Sequence, residues 1–200
     1  SFRDRAGCGV LAQMIERLAG LAPFRARTPW FGGDMQTLRN TFMRDHADLD
    51  PWPGERVFFR ASNGDRLNGV LHAARDDRHA LVVLVHGLTG CEDSAYVRAS
   101  ARHFLEAGYG VLRLNLRGAQ PSRSDCRQMY HSGRSEDLAL VFAYLAEQGY
   151  GADRMFAVGY SLGGNILLKY LAEAGPDACV SLAVSVSAPL DLSAVSRRLE

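Results

Sequence analysis

The sequence predicts an α/β fold, a mostly parallel sheet with helices on both faces, and three observations carry that prediction. From Leu81 onward, short apolar runs alternate strictly with stretches of helical periodicity, the pattern of repeated strand-crossover-strand units. Before them, two extended runs are joined by Ser62, Asn63, Gly64 and Asp65, which suit an antiparallel hairpin. The third is the stretch 155–171, MFAVGYSLGGNILLKYL. There an apolar strand gives way at Gly159 to a glycine-flanked serine and then directly to a helical pattern.

Each element follows from its own residues. Val10, Leu11, Met14, Ile15 and Leu18 line one helical face, ending near Gly20 and Pro23. They predict a short amphipathic helix that packs on the domain or, alternatively, meets a partner or a membrane surface. Residues 23–44 hold two prolines and the Gly32-Gly33 pair before a brief helical stretch from Asp34. Residues 1–54 therefore read as an N-terminal helical and irregular wrap, and 55–200 as the α/β core. Within the core the hairpin strands are expected at 57–60 and 67–71. Further strands are expected at 81–85, 111–115 and 155–158, and helices at 94–107, 135–148 and 163–173. Val97, Ala101, Phe104 and Leu105 form one apolar stripe stopped by Gly108, and Leu138, Val141, Phe142 and Leu145 another stopped by Gly149. Ser135, Glu136 and Asp137 look like a cap and negative charge at a helix start. A last strand, 180–187, alternates Val180, Leu182, Val184 and Val186 with small residues, so one face is apolar and the other admits close helix packing. An apolar strand at a sheet edge invites aggregation. Further strands are expected to follow, with the core truncated before its last ones.

Bulk properties exclude several function classes. Two hundred residues, 47% hydrophobic, with a formal charge of +1, describe one globular unit with a sizeable core. The 23 basic and 22 acidic residues are interspersed, without the basic stripe that nucleic-acid binding requires. Cys8, Cys91, Cys126 and Cys179 lie far apart with no CxxC pair, which argues against a zinc site and a disulfide framework. Reduced cysteines and a cytoplasmic location are the expectation. No apolar run approaches the roughly 20 residues of a membrane span. The chain begins at Ser1, which leaves a removed targeting segment open.

Chemistry concentrates around Ser161. A serine on a strand-to-helix corner is displayed at the top of the sheet, and Gly159 and Gly163 remove the Cβ atoms that so sharp a turn would bring together. A dinucleotide fingerprint also places glycines at such a corner, but Tyr160 and Leu162 are too large for backbone to approach a pyrophosphate. In open α/β sheets the loops after the strands converge on one crevice. His86 to Gly90, HGLTG, follows one strand, and 115–120, NLRGAQ, follows the next. The amides of Leu88 and Leu162 could then form an oxyanion hole. A serine needs a base, and the base an orienting carboxylate. No histidine follows Ser161; the acids that do are Glu173, Asp177, Asp191 and Glu200, with Asp191 a candidate acid or a helix cap. Upstream, His86 belongs to the oxyanion-type loop and is expected to fix backbone there. His131, in YHSG, is either an accessory to the site or a loop contact. The base and acid are expected beyond residue 200.

With these residues laid out, the chain resembles the YheT-like branch of the α/β-hydrolase superfamily from Phe24 to Glu200. The marks are PWFGGDMQTL at 29–38, HGLTG at 86–90 with SAYV at 94–97, NLRG at 115–118, YHSG at 130–133 and GYSLGGN at 159–165. The elbow alone is shared across the superfamily; the combination is far more specific. The resemblance implies a serine nucleophile at Ser161, oxyanion amides at Leu88 and Leu162, and action on carboxylic esters, often of medium acyl length, by hydrolysis or acyl transfer. It implies a small-molecule ester substrate and neither metal nor organic cofactor. Many members have NLRGCG where Ala119 and Gln120 stand here, which bears on substrate detail. A hydrolase-fold protein that binds a ligand or partner without catalysis is the alternative, and thioesterase or peptidase chemistry would use the same elbow. Oligomeric state is not specified by these residues.

Overall fold

The computed structural model describes residues 47–74 and 80–193, together with 25, 28, 29, 31 and 197. The chain divides into two compact units, Ser1–Arg44 and Asp45–Glu200. The expected amphipathic helix at 1–21 and the helical stretch from Asp34 lie outside the described residues. In the second unit the strands are β1 (Gly54–Arg60), β2 (Arg66–His72), β3 (Leu81–Val85), β4 (Gly110–Asn115), β5 (Met155–Tyr160) and β6 (Leu182–Val186). The helices are α1 (Ala95–Glu106), α2 (Glu136–Glu147) and α3 (Leu162–Ala174).

The described strands form one sheet in the order β1-β2-β4-β3-β5-β6. The hairpin β1-β2 and the pair β2-β4 are antiparallel, and β3-β4, β3-β5 and β5-β6 are parallel, so four of the strands run together. The hairpin turns where expected: Gly64 takes φ 87°, its N–H donates to the Ala61 carbonyl (3.0 Å), and the Asn63 side chain accepts from the Asp65 amide (3.1 Å).

Alternation along the strands feeds two cores. Leu81, Val83 and Val85 join Leu112, Leu114 and Ala157 beneath Leu138, Val141 and Phe142 of α2 and Ile166, Leu167 and Tyr170 of α3. Val82 and Leu84 point the other way, with Val111 and Val158, onto Val97, Ala101 and Leu105 of α1. Both faces of β3 are thus buried, which is why it reads as an unbroken apolar run. Leu49 is buried in the α1-side core, so residues before β1 already pack on the sheet.

Two details differ from expectation. Ser135 does not cap α2: its backbone is already helical (φ −69°, ψ −25°), and its hydroxyl turns to α3, donating to Glu173 and accepting from Lys169 Nζ (3.1 Å). The last strand covers only 182–186. Its small-residue face does take the helix, since Ser185 lies against Gly164, but Leu182, Val184 and Val186 remain 56%, 43% and 37% exposed.

Two polar clusters, one centred on buried Glu92 and one on buried Arg117, tie the loops to the sheet. Glu92, after the HGLTG loop, takes both terminal nitrogens of Arg56 and the Asn115 amide, while its own N–H donates to Asn115 Oδ1 (2.8 Å). Arg117, in NLRG, pairs with Asp137 at the start of α2 and with Asp65 of the hairpin (2.8 Å), all three buried. Burial pushes the Asp65 carboxyl upward, but hydrogen bonds from the Arg127 amide, Arg117 and Asn63 outweigh it and hold it down at about 2. Asp137 moves the opposite way, raised by burial despite Arg117.

Candidate active site

Ser161 occupies the corner between β5 and α3 with φ 49° and ψ −118°, outside the regions that side-chain-bearing residues prefer. The corner is held on both sides. The Ser161 N–H donates to the Val186 carbonyl of β6 (2.8 Å), and the Ser161 carbonyl accepts the Asn165 amide (3.0 Å), the first turn of α3. The Asn165 side chain reaches on to the Pro189 carbonyl (3.0 Å). Glycine is required around it for space: a Cβ on Gly159 would sit 2.7 Å from the Gly163 carbonyl, and one on Gly163 would run into the carbonyls of His86 and Val85. Ser161 is exposed, so its hydroxyl is presented to solvent while the corner beneath it is packed.

The HGLTG loop lies directly against this corner. A Cβ on Gly87 would be 3.0 Å from Ser161 Cβ and 3.1 Å from the Tyr160 carbonyl, so only glycine lets the loop come this close to the serine side chain and the end of β5. The loop is a turn closed by the Gly90 N–H donating to the Gly87 carbonyl (3.1 Å), with Leu88 and Thr89 at its centre and Thr89 at φ 59°. The Gly87 amide donates to the Tyr96 hydroxyl (2.9 Å) and the Thr89 amide to the Tyr130 hydroxyl (2.8 Å). Among the described residues, no hydrogen bond takes the amides of Leu88 or Leu162.

His86 is fully buried. Its Nε2 accepts the Leu116 amide (3.1 Å), so Nδ1 carries the proton and donates to the Gly87 carbonyl (2.7 Å). Burial lowers its pKa below the usual imidazole range. Both nitrogens are thus committed to backbone, tying the loop after β3 to the loop after β4. His131 is exposed and meets its own loop, the Gly133 amide (3.2 Å) and Arg134 Nε (3.3 Å). Its neighbour Tyr130 is the YHSG residue that reaches the HGLTG loop. The Asp191 carboxylate accepts from Ser193 Oγ (2.7 Å). Tyr96 and Tyr130 were not singled out from sequence, because each pairing crosses loops and leaves no local pattern. The only signal was their place inside the SAYV and YHSG motifs. Among the described residues, no group of three or more His, Cys, Asp or Glu is placed to hold a metal ion, and no helix is long and apolar enough to cross a membrane.

Comparison with known proteins agrees with this architecture. Residues 80–199 match the model of the alpha/beta hydrolase fold family. YheT of Escherichia coli (strain K12) is 36% identical over 119 residues, 60% of this chain and 35% of YheT. The medium-chain fatty acid ethyl ester synthase/esterase 2 of Saccharomyces cerevisiae is 31% identical over 113 residues, covering 56% of this chain and 25% of the yeast protein. The chain therefore spans about a third or less of the length of these two relatives. Among solved structures, the Pyrococcus furiosus esterase Pf2001 superposes with a TM-score of 0.62 at 19% identity, covering 74% of this chain and 57% of Pf2001, a likeness of fold. With a mixed, mostly parallel sheet, a strained serine between β5 and α3, and a match to the family model over more than half its length, the chain belongs to the α/β-hydrolase fold family, and within that family it is YheT-like.

Proposed function

We propose that the protein hydrolyses carboxylic esters through an acyl-enzyme on Ser161. The observation that carries this reading is the strained Ser161 whose side chain lies directly against Gly87, in a turn whose central amide is unengaged. In the proposed reaction Ser161 Oγ attacks the ester carbonyl and the amides of Leu88 and Leu162 hold the developing oxyanion. The alcohol then leaves, and water attacks the acyl-enzyme to release the acid. Preorganised donors of this kind are worth about 2.7–4 kcal/mol each in the transition state. The chemistry needs neither metal nor organic cofactor. A medium-chain acyl group, and acyl transfer to an alcohol in place of water, are in keeping with the name of the yeast relative.

Neither His86 nor His131 is placed as the base by its contacts. No histidine follows Ser161 in these 200 residues. The base and its carboxylate are therefore proposed to come from outside this stretch, as the greater length of the relatives allows. The test is fluorophosphonate labelling with peptide mapping by mass spectrometry, on this chain and on a longer form carrying its natural continuation. Labelling at Ser161 in the longer form, lost in Ser161→Ala with folding intact, is the expected result. Ester hydrolysis retained by purified Ser161→Ala would reject the mechanism, and a longer form that neither labels nor turns over esters would favour a ligand-binding role.

A further inference from the structure

We propose that Tyr96 and Tyr130 are positioning residues of the oxyanion turn: their hydroxyls take the amides on either side of Leu88, leaving that single N–H free and held in place. This rests on the reading of Leu88 as an oxyanion donor.

Three consecutive amides, those of Gly87, Leu88 and Thr89, line the turn beside Ser161. A turn with positive φ at its third residue ordinarily has glycine or asparagine there. Here Thr89 stands in that position at φ 59°, a conformation that its Cβ disfavours. Something outside the turn must hold it, and the Tyr130 hydroxyl accepts the Thr89 N–H at 2.8 Å. Tyr130 is itself anchored. Its amide donates to the Arg117 carbonyl (2.8 Å), its ring meets His86 edge-on with centroids 5.8 Å apart, and Arg117 is locked by two buried carboxylates.

The other clamp comes from the opposite side. Tyr96, near the start of α1, accepts the Gly87 N–H at 2.9 Å, and its ring packs on Tyr160 with centroids 4.9 Å apart. Tyr160 precedes Ser161, and its hydroxyl is 2.5 Å from Ser100 Oγ. Tyr96 therefore joins the turn to the strand that carries the nucleophile. Gly90 leaves room for this, since a Cβ there would lie 2.7 Å from the Tyr96 hydroxyl. Had the hydroxyls been absent, three orphan amides would compete for one developing charge and the turn would be free to rotate.

Tyr96→Phe and Tyr130→Phe remove the hydroxyls and keep the rings. Amide hydrogen exchange by NMR on the full 200-residue chain should find Gly87 and Thr89 slow and Leu88 fast in the parent. Tyr130→Phe should speed Thr89 by at least about tenfold and leave Gly87 slow, and Tyr96→Phe should do the reverse. In the longer form of the protein, each variant should lower the bond-forming rate of Ser161 with a fluorophosphonate by about ten- to a hundredfold, with the probe's reversible affinity unchanged. Slow exchange at Leu88 in the parent, or exchange at Gly87 and Thr89 that ignores the variants, overturns the clamp, and the parent pattern alone decides this if a variant fails to fold. Altered exchange with unaltered phosphonylation would reduce the tyrosines to scaffold and overturn the positioning role. A parent that never labels, with exchange as expected, would sink the hydrolase reading and leave the clamp standing.

Discussion

Replacing Gly163 with alanine places a methyl group between α3 and the end of β3. That methyl would overlap the His86 carbonyl and lie 2.7 Å from the Val85 carbonyl and 3.0 Å from Val85 Cγ1. An ordinary carbon-to-oxygen approach is about 3.3 Å. Overpacking a filled site costs about 1–3 kcal/mol, and backbone carbonyls at the end of a central strand cannot swing aside as a side chain would, so the upper end applies. Against it stands the gain of about 1 kcal/mol from alanine over glycine in a helix. The net loss is about 2 kcal/mol, or about 4–8 °C in Tm for a folded unit of this size. Thermal unfolding followed by circular dichroism measures it, with Gly133→Ala as the control. At Gly133 the nearest atoms belong to the His131 ring, 3.3 Å away and exposed, so that variant should stay within about 2 °C of the parent. A Gly163→Ala protein melting at or above the parent temperature would refute the claim that backbone contact, and not helix propensity, dictates glycine there.

Other substitutions probe the remaining layers. Arg117→Met leaves Asp65 and Asp137 buried without their cation, so urea titration should find about 3–5 kcal/mol of stability gone; a loss under about 1 kcal/mol would mean the triad is not coupled. Leu84→Ala, fully buried, should cost about 2–5 kcal/mol, whereas Val184→Thr on the open face of β6 should stay within about 0.5 kcal/mol; equal costs would show that β6 is covered in solution. Burial depresses both His72 and His86, so protons bind the unfolded chain first: their contribution is complete above about pH 6.5 and falls as pH drops below it. Asp65 adds a second acid-sensitive contribution, present above about pH 4 and lost as pH falls toward its folded value of about 2, while Asp137, raised by burial, works in the opposite sense. Urea titrations between pH 5 and 7 that show no slope would contradict the histidine assignment.

Much of the core was legible because its signals are local. Strand β3 is five apolar residues in a row, and α1 and α2 end at Gly108 and Gly149, both at φ 92°, where glycine alone is at ease. The GYSLGG elbow is equally local, since its glycines clear one corner. Ser135 misled for the same reason: its sequence position suits a cap, and only the approach of α3 reveals that Lys169 and Glu173 claim the hydroxyl. His131 lies in YHSG on the long loop before α2, yet its contacts stay in its own loop while Tyr130 beside it spans 41 residues to Thr89.

By itself, then, the sequence determined the element types, their order, the serine corner and the family, because periodicity and turn chemistry act between residues a few positions apart. Tertiary structure alone decided that β2 sits between β1 and β4, that Arg117 gathers carboxylates from the hairpin and α2, and that two tyrosines close on the HGLTG turn. It also decided that the apolar face of β6 is the open one. Those outcomes depend on which surfaces the packed sheet brings within hydrogen-bond reach, a property of the folded chain that no window of sequence contains.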